Sequence, residues 1–186
     1  MLSSPIPART RSELAAPVAL IGMPGSGKST IARATANRLA LSYADCDGSI
    51  ERRAGCSIAV LFERNGEPAF RDIEAEILGI LVAEPASVIA TGGGVVLRGA
   101  NRDLLHARTC CVYLRASHDL LWQRLRRDRR RPLLQVADPQ QRLRQLSAER
   151  EPLYEQTAHI VIDTDGLAFD HLVEEVVRRV SPAPAR

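Results

Sequence analysis

The segment from Gly22 to Ser29 follows an apolar run and limits the folds open to this chain more than any other part of its sequence. It reads Gly-Met-Pro-Gly-Ser-Gly-Lys-Ser and fits the pattern G-x-x-x-x-G-K-[ST]. Glycines let a loop point several backbone N–H groups at one anion, and a following helix adds the positive end of its dipole. Residues 17–21 resemble a strand and residues 28–40 a helix, as this motif requires. The segment therefore predicts a nucleotide-binding phosphate loop rather than a glycine-rich turn that matches by accident.

Two side chains of this loop have specific expected roles. Lys28 would reach the β- and γ-phosphates, and the Ser29 hydroxyl would bind Mg²⁺. The residues that we expect to bind the nucleotide here are Gly25, Ser26, Gly27, Lys28, Ser29 and Thr30.

Strand-like and helical patterns alternate along the chain. The candidate strands are residues 17–21, 42–45, 87–91, 110–114 and 159–163, and the helical patterns are 28–40, 49–53, 57–64, 68–83, 117–127 and 168–180. Asn65-Gly66 is a turn signal between two of these helices. Strands separated by helices predict an α/β, doubly wound, three-layer fold with a five-stranded parallel sheet. Ligands of such folds bind at the carboxyl ends of the strands, where the polar clusters of this chain occur.

The chain length of 186 residues suits one domain, which we expect over residues 17–180. Residues 1–16 are predicted to be a flexible N-terminal extension and residues 181–186 a flexible tail. The N-terminus lacks an apolar stretch of secretory length, and no run approaches the ~20 apolar residues of a membrane span. We therefore expect no membrane association.

Composition and cysteine usage exclude several classes of protein. The chain is 45% apolar and 25% charged, and its net charge of +3 is too small to indicate nucleic-acid binding by itself. The cysteines Cys46, Cys56, Cys110 and Cys111 form no C-x-x-C pair and have no histidine cluster beside them, which argues against a zinc site. Reduced thiols without a disulfide framework favour a cytoplasmic location.

Two carboxylates follow the second candidate strand, at Asp45 and Asp47. If the backbone is still extended there, both side chains project to one face. One acid could then hold a water of magnesium while the other receives the proton of an attacking hydroxyl. The alternative is a solvated turn.

Two further patterns point to an acceptor site. Arg71 and Glu74 are three residues apart on a predicted helix, so they form either a surface ion pair or an oriented fork for a substrate carboxylate. Gly92, Gly93 and Gly94 directly follow a candidate strand, and the close approach of a ligand to the backbone would explain three glycines in a row.

Six arginines fall within residues 124–131, ahead of Pro132. An RNA-binding patch is one interpretation, although aromatic residues are not interleaved. Beside a phosphate loop, a lid over about residues 124–140 explains the segment better, because it would exclude water and bring an arginine to the transferring group. Arg131 and Arg124 are the candidates for contact with the nucleotide.

Together these segments resemble the shikimate kinase family, over about residues 17–180. The resemblance is carried, in this order, by Gly22–Thr30, Asp45–Asp47, Gly66-Glu67 with Phe70-Arg71, Thr91–Gly94, Arg131–Leu134 and Arg150–Tyr154. It implies a nucleoside-monophosphate-kinase-like fold with substrate-binding helices and a lid. It also implies ATP-dependent phosphorylation of the 3-hydroxyl of shikimate, with Mg²⁺ as cofactor and ATP and shikimate as partners. We expect a monomer that binds no nucleic acid.

The resemblance also implies roles for residues on the acceptor side. Asp47 matches the aspartate that contacts the acceptor hydroxyl and is the candidate base. Arg71 and Arg150 match the arginines that grip the carboxylate of shikimate. Gly93 and Gly94 match the turn that lies against its ring.

On the nucleotide side, Asp45 matches the aspartate near magnesium, which shares the metal with Ser29. Arg131 matches the lid arginine that reaches phosphate and substrate, and it joins Lys28 and Asp47 as a catalytic residue. Arg124 falls where an arginine stacks on adenine.

Three alternatives remain at this point. The chain could be a kinase for another small polyol such as gluconate, a sensor that binds shikimate without turnover, or an RNA-binding protein that uses residues 124–131.

Overall fold

The computed structural model describes residues 16–85, 87–126 and 136–181. Within these ranges the strands are β1 (Val18–Ile21), β2 (Ser42–Asp45), β3 (Ser87–Ala90), β4 (Cys110–Arg115) and β5 (Ile160–Asp163). The helices are α1 (Lys28–Leu39), α2 (Cys46–Ala54), α3 (Ile58–Ala83), α4 (Gly99–Arg108), α5 (His118–Leu125), α6 (Pro139–Thr157) and α7 (Phe169–Val180), with a 3₁₀ turn at Val95–Leu97. The expected extension up to residue 15, most of the lid and the last five residues lie outside the described ranges.

The five strands form one parallel sheet in the order β2-β3-β1-β4-β5. This confirms the predicted α/β architecture. β1 is central, and its residue Leu20 pairs with Ala90 of β3. The loops that follow β1 and β3 therefore leave the sheet side by side. The chain reverses its winding direction around β1, which is where open α/β sheets bind their ligands.

The residues of β1 alternate between the two faces of the sheet because successive side chains of a strand point in opposite directions. Ala19 and Ile21 belong to the core that the sheet shares with α3, α4, α5 and α6. Val18 and Leu20 belong to the core shared with α1 and α7. Helices on both faces complete the three layers, and they explain why β1 is wholly apolar.

α3 is interrupted at Gly66, whose φ of 75° and ψ of 172° are not helical. This confirms the predicted turn at Asn65-Gly66, which separates two helical pieces that form one longer element. Pro68 follows two residues later, in the first turn of the second piece, where the backbone N–H that proline lacks would have no helical partner. The second piece carries Arg71 and Glu74 toward the carboxyl edge of the sheet.

The sequence patterns missed the 3₁₀ turn and α4, which follow the triple glycine. α2 also begins earlier than predicted, at Cys46, because the Asp45 carboxylate accepts a hydrogen bond from the Gly48 amide and caps the helix. In the described part of the chain, none of the helices combines the length and apolar character that a bilayer span requires.

Candidate active site

The phosphate loop connects β1 to the N-terminus of α1. Gly25 and Gly27 have φ values of 86° and 95°, which residues with side chains rarely adopt. Gly27 is the N-cap of α1, so the first amides of the helix open onto the loop. The predicted motif therefore has the backbone conformation and the helix dipole that an anion site needs.

The Lys28 ammonium folds back over the loop. Its Nζ donates to the carbonyl oxygen of Gly22 at 2.8 Å and to that of Met23 at 2.9 Å. Ser29 and Thr30 are exposed in the first turn of α1, whereas the Ser26 hydroxyl is buried with no hydrogen-bond partner among the described residues. The loop and the first turn of α1 thus combine the Lys28 cation, exposed hydroxyls and the unsatisfied Ser26 hydroxyl.

Asp45 and Asp47 do not share an extended face, which corrects the geometry considered from the sequence. β2 ends at Asp45 and α2 begins at the next residue, so the backbone turns helical between the two acids. The Asp47 carboxylate nonetheless lies at the same strand edge, close to Gly92: a methyl group placed on Gly92 would lie 2.9 Å from Asp47 Oδ1. The helical turn separates the two acids into different environments.

Asp45 is held on the α1 side of the sheet edge. Its Oδ1 accepts from the Gly48 amide at 3.2 Å, and its Oδ2 accepts from the Tyr43 hydroxyl at 3.0 Å. Partial burial and the Asp45 charge raise the pKa of Tyr43, so the phenol stays a donor. The Arg33 guanidinium lies over the Tyr43 ring, 4.9 Å from its centroid. Asp45 is therefore an oriented carboxylate and a helix cap at once.

The protein's own side chains crowd all three glycines, which gives a second reason for them besides the close approach of a ligand expected from the sequence. A methyl group on Gly92 would lie 2.7 Å from Glu74 Oε1, and one on Gly93 would lie 2.7 Å from Pro24 Cδ. A methyl group on Gly94 would overlap the guanidinium of Arg71. We refer to Gly92–Gly94 as the glycine turn. It touches Asp47, Glu74 and Arg71 on one side and the phosphate loop on the other.

Arg71 and Glu74 form an ion pair that is buried, which excludes the surface pair and leaves the interpretation of an arginine oriented by a carboxylate. Arg71 Nη1 donates to Glu74 Oε2 at 2.7 Å, and both residues are almost fully buried. A second acid, Glu67, accepts from Nη2 at 2.8 Å and from Nε at 3.2 Å. Burial alone would lower the pKa of Arg71, but Glu74 and Glu67 outweigh it and leave that pKa raised. The guanidinium is therefore permanently charged and fixed in its plane.

The Glu74 carboxyl is close enough to Arg71, Arg150 and Asp47 for their charges to act on its pKa. Burial raises the pKa of its carboxyl, Arg71 opposes the rise, and the charge of Asp47 reinforces it. Its Oε1 is buried with no hydrogen-bond partner among the described residues. An unsatisfied buried carboxylate oxygen is costly, so this atom marks a place where a ligand or a water would be stabilised.

Arg150 approaches the glycine turn from α6. Its Nη1 donates to the Gly93 carbonyl at 3.1 Å, and its buried Nε has no partner in the described part of the chain. Its charge also acts on the pKa of Glu74, which places it near the Arg71 pair. Two buried arginines with remaining donors thus lie beside the same turn as Asp47.

Arg124 belongs to α5 and contacts the phosphate loop: its Nη1 donates to the Gly25 carbonyl at 2.9 Å. This contact places Arg124 beside the loop, and the adenine contact that the resemblance implies stays a prediction. Arg131 lies outside the described residues.

Two residues that contact the site were not predicted individually. Glu67 could have been found from its i,i+4 spacing to Arg71 on a helix. Tyr154, whose hydroxyl donates to the Gly93 carbonyl, has no local sequence signal because its partner is 61 residues away.

Comparison with known families agrees with this geometry. The family model described as "Shikimate kinase" matches residues 24–181. A shikimate kinase from Paracidovorax citrulli is 47% identical over 170 residues, which covers 90% of this chain and 93% of the relative.

Solved structures show the same likeness in three dimensions. The shikimate kinase from Acinetobacter baumannii in complex with shikimate has a TM-score of 0.87 and 39% identity, and the match covers 90% of this chain and 94% of that chain. A gluconokinase from Sinorhizobium meliloti matches with a TM-score of 0.57 at 15% identity, over 90% of this chain and 93% of that chain. The second match is a likeness of fold alone.

Proposed function

Since this chain belongs to the shikimate kinase family, we propose that it phosphorylates the 3-hydroxyl of shikimate with ATP. In this reaction the bond between the γ-phosphorus and the bridging oxygen of the β-phosphate breaks, and ADP leaves with that oxygen. A new bond forms between the γ-phosphorus and the 3-oxygen of shikimate, whose proton is released. The products are ADP and 3-phosphoshikimate.

The observation that carries this proposal is the position of the glycine turn between the two halves of the site. Gly93 lies against Pro24 of the phosphate loop, while Gly92 and Gly94 lie against Asp47 and Arg71. A phosphate held by the loop and a carboxylated acceptor held by the arginines would therefore be neighbours. Catalysis of phosphoryl transfer depends mainly on such positioning and on neutralisation of charge.

On the donor side, the loop amides and Lys28 would hold the β- and γ-phosphates. The Lys28 ammonium already lies among loop carbonyls, so it would exchange those contacts for phosphate oxygens. The buried Ser26 hydroxyl would gain a partner in the same event. Gly25, Gly27 and Thr30 would complete the phosphate contacts.

On the acceptor side, Arg71 and Arg150 would bind the shikimate carboxylate. Glu67 and Glu74 fix the plane of Arg71 in advance, so little side-chain freedom is lost on binding. Gly93 and Gly94 would lie against the ring of shikimate, because glycines have no side chains that would keep the ring away from the backbone. Asp47 would accept the proton of the 3-hydroxyl, for which it requires only hydrogen-bond reach.

The residues present fit magnesium. In the described chain, no three histidine, cysteine or acidic side chains are placed to hold a metal ion together, and Mg²⁺ beside nucleotides uses only one or two protein ligands with phosphates and waters. Ser29 would hold it directly and Asp45 through water, since each oxygen of the Asp45 carboxylate keeps a lone pair beyond its present hydrogen bond. When bound, the ion would neutralise charge on the β- and γ-phosphates.

We extend the proposal to the arginine-rich segment. Arg124 would stay with the nucleotide through its place on the loop. Arg131 would reach the transferring phosphate from a lid. This role rests on the resemblance to the family.

The test is release of ADP in a coupled assay with shikimate, gluconate or no acceptor, with the product identified by ³¹P NMR. We expect ADP release with shikimate only, and loss of that release in Lys28→Met. Binding of both ATP and shikimate without turnover would identify a sensor instead. Turnover of gluconate in preference to shikimate would identify a different polyol kinase.

We also propose a cytoplasmic monomer. All four cysteines are unpaired, which suits a reducing compartment. The described chain exposes only a few large apolar residues: Ile80, Val136, and the neighbouring Leu167 and Phe169. Size-exclusion chromatography with light scattering tests the assembly state, and a dimer mass would contradict it.

A further inference from the structure

One buried side chain, Tyr154, contacts both halves of the site and has no part in the proposed chemistry. Its hydroxyl donates to the Gly93 carbonyl in the glycine turn and lies 3.8 Å from Met23 Sδ in the phosphate loop. Arg150, one helical turn earlier on α6, donates to the same carbonyl. The Gly93 carbonyl is therefore held by two donors from one helix.

The position of Tyr154 is set by the core of the sheet. Its ring stacks on Tyr113 of β4, with centroids 5.0 Å apart and the planes at 26°. Tyr113 pairs in register with Ile21, the last residue of β1 before the phosphate loop. Burial raises the pKa of the Tyr154 hydroxyl, although the Arg150 charge opposes the rise, so the group remains a neutral donor. A phenylalanine would fill the same volume but would make neither polar contact.

The glycine turn that accepts this hydrogen bond also packs closely against both halves of the site. Gly93 packs against Pro24, and Gly94 packs against the Arg71 guanidinium. A shift of the Gly93 carbonyl would therefore move the acceptor side, while a shift of Met23 would move the donor side. Close-packed interiors transmit such shifts because they contain few voids.

We propose that the Tyr154 hydroxyl is a positioning group that keeps the glycine turn against the phosphate loop, so that occupancy of one subsite changes the affinity of the other. The inference rests on the proposed function, because it needs a nucleotide in one subsite and shikimate in the other. Such a coupling between two ligands is reciprocal.

The experiment compares Tyr154→Phe with Tyr113→Phe. Each variant loses one phenolic oxygen from the same ring stack, but only the first loses the contact with Gly93. Dissociation constants of shikimate are measured by calorimetry with and without saturating ADP, and thermal unfolding checks that both variants fold. We expect ADP to change shikimate affinity by the same factor in the unaltered chain and in Tyr113→Phe. In Tyr154→Phe that factor moves toward one, and shikimate alone binds about three- to tenfold more weakly, the effect of one neutral hydrogen bond.

Three results would overturn the inference. ADP could change shikimate affinity by the same factor in all three proteins, or it could leave that affinity unchanged in the unaltered chain. Both variants could also lose the same amount of shikimate affinity. The last result would assign the effect to packing of the ring pair. Failure of the unaltered chain to bind shikimate at all would instead contradict the proposed function itself.

Discussion

The guanidinium of Arg71 lies against Gly94, so closely that a methyl group on that glycine would occupy the same space. Glu67 and Glu74 hold the edge of the same guanidinium, and the Phe70 ring centroid lies 5.0 Å from its central carbon. Arg71 is thus oriented before any ligand binds. The geometry of the acceptor side depends on a residue with no side chain.

Gly94→Ala is predicted to displace Arg71 and to weaken shikimate binding. We expect the KM for shikimate to rise at least about tenfold, because an oriented charged donor is lost from its position, while the KM for ATP changes little. Gly79→Ala is the matched control: nothing lies within 4 Å of the added methyl group, and a helical alanine is more stable than glycine by about 0.5–1 kcal/mol. Equal kinetics in the two variants would contradict the steric argument.

Arg71→Ala is predicted to raise the KM for shikimate by far more than the KM for ATP. Loss of one partner from a buried charged contact weakens binding by about 2–5 kcal/mol. Thermal unfolding should also occur at a lower temperature, because the buried Glu74 carboxylate loses its ion pair. Arg98→Ala, which breaks the exposed pair with Asp72, should change neither. An unchanged KM for shikimate in Arg71→Ala would remove this residue from the acceptor site.

Asp47→Asn is predicted to lower turnover much more than it weakens ATP binding, because the carboxylate acts on the acceptor hydroxyl. The loss of a general base corresponds to at least about 100-fold in kcat. Steady-state kinetics and calorimetry with ATP separate the two effects. Asp72→Asn, the same change at an exposed position, should retain full turnover. Wild-type turnover in Asp47→Asn would exclude the proposed base.

We predict that the folded protein loses stability in mild acid because His159 stacks on His106. Their ring centroids are 4.3 Å apart, and His159 Nδ1 accepts a hydrogen bond from the Cys111 amide. Burial, and then the charge of His106, lowers the pKa of His159 below its usual 6.5. The unfolded chain therefore binds the proton more readily. The stabilisation is complete above pH 6.5 and is lost as the pH falls from there toward the lowered pKa.

His159→Asn keeps an acceptor for the Cys111 amide without titrating in this range. We expect this variant to show a fall in unfolding temperature between pH 7 and pH 5 that is smaller by about 1–2 °C. The difference is small because both histidines are exposed and solvent screens their charges. His171→Gln, at an exposed position on α7, is the control and should leave the pH profile unchanged. The same profile in His159→Asn as in the unaltered chain would exclude this titration.

The elements that sequence patterns predicted well are those with strong local signals. The phosphate loop follows from glycine spacing, and the apolar runs of β1 and β4 follow from burial on both faces of a parallel sheet. Asn65-Gly66 marked the break in α3, because glycine adopts the required conformation easily. By contrast, α4 was missed, and α2 was predicted to begin too late because the capping role of Asp45 was not foreseen.

Local sequence signals were sufficient to predict the phosphate loop, the alternation of strands and helices, and the residues that could bind a nucleotide and an acid. How these residues meet follows from the packing of the folded chain. The tertiary structure turned the chain helical between Asp45 and Asp47, and it placed Arg71 against Gly94 and Tyr154 against Gly93. Local patterns depend on dihedral preferences and periodicity within a few residues, whereas these contacts join residues brought together by packing of the helices against the sheet.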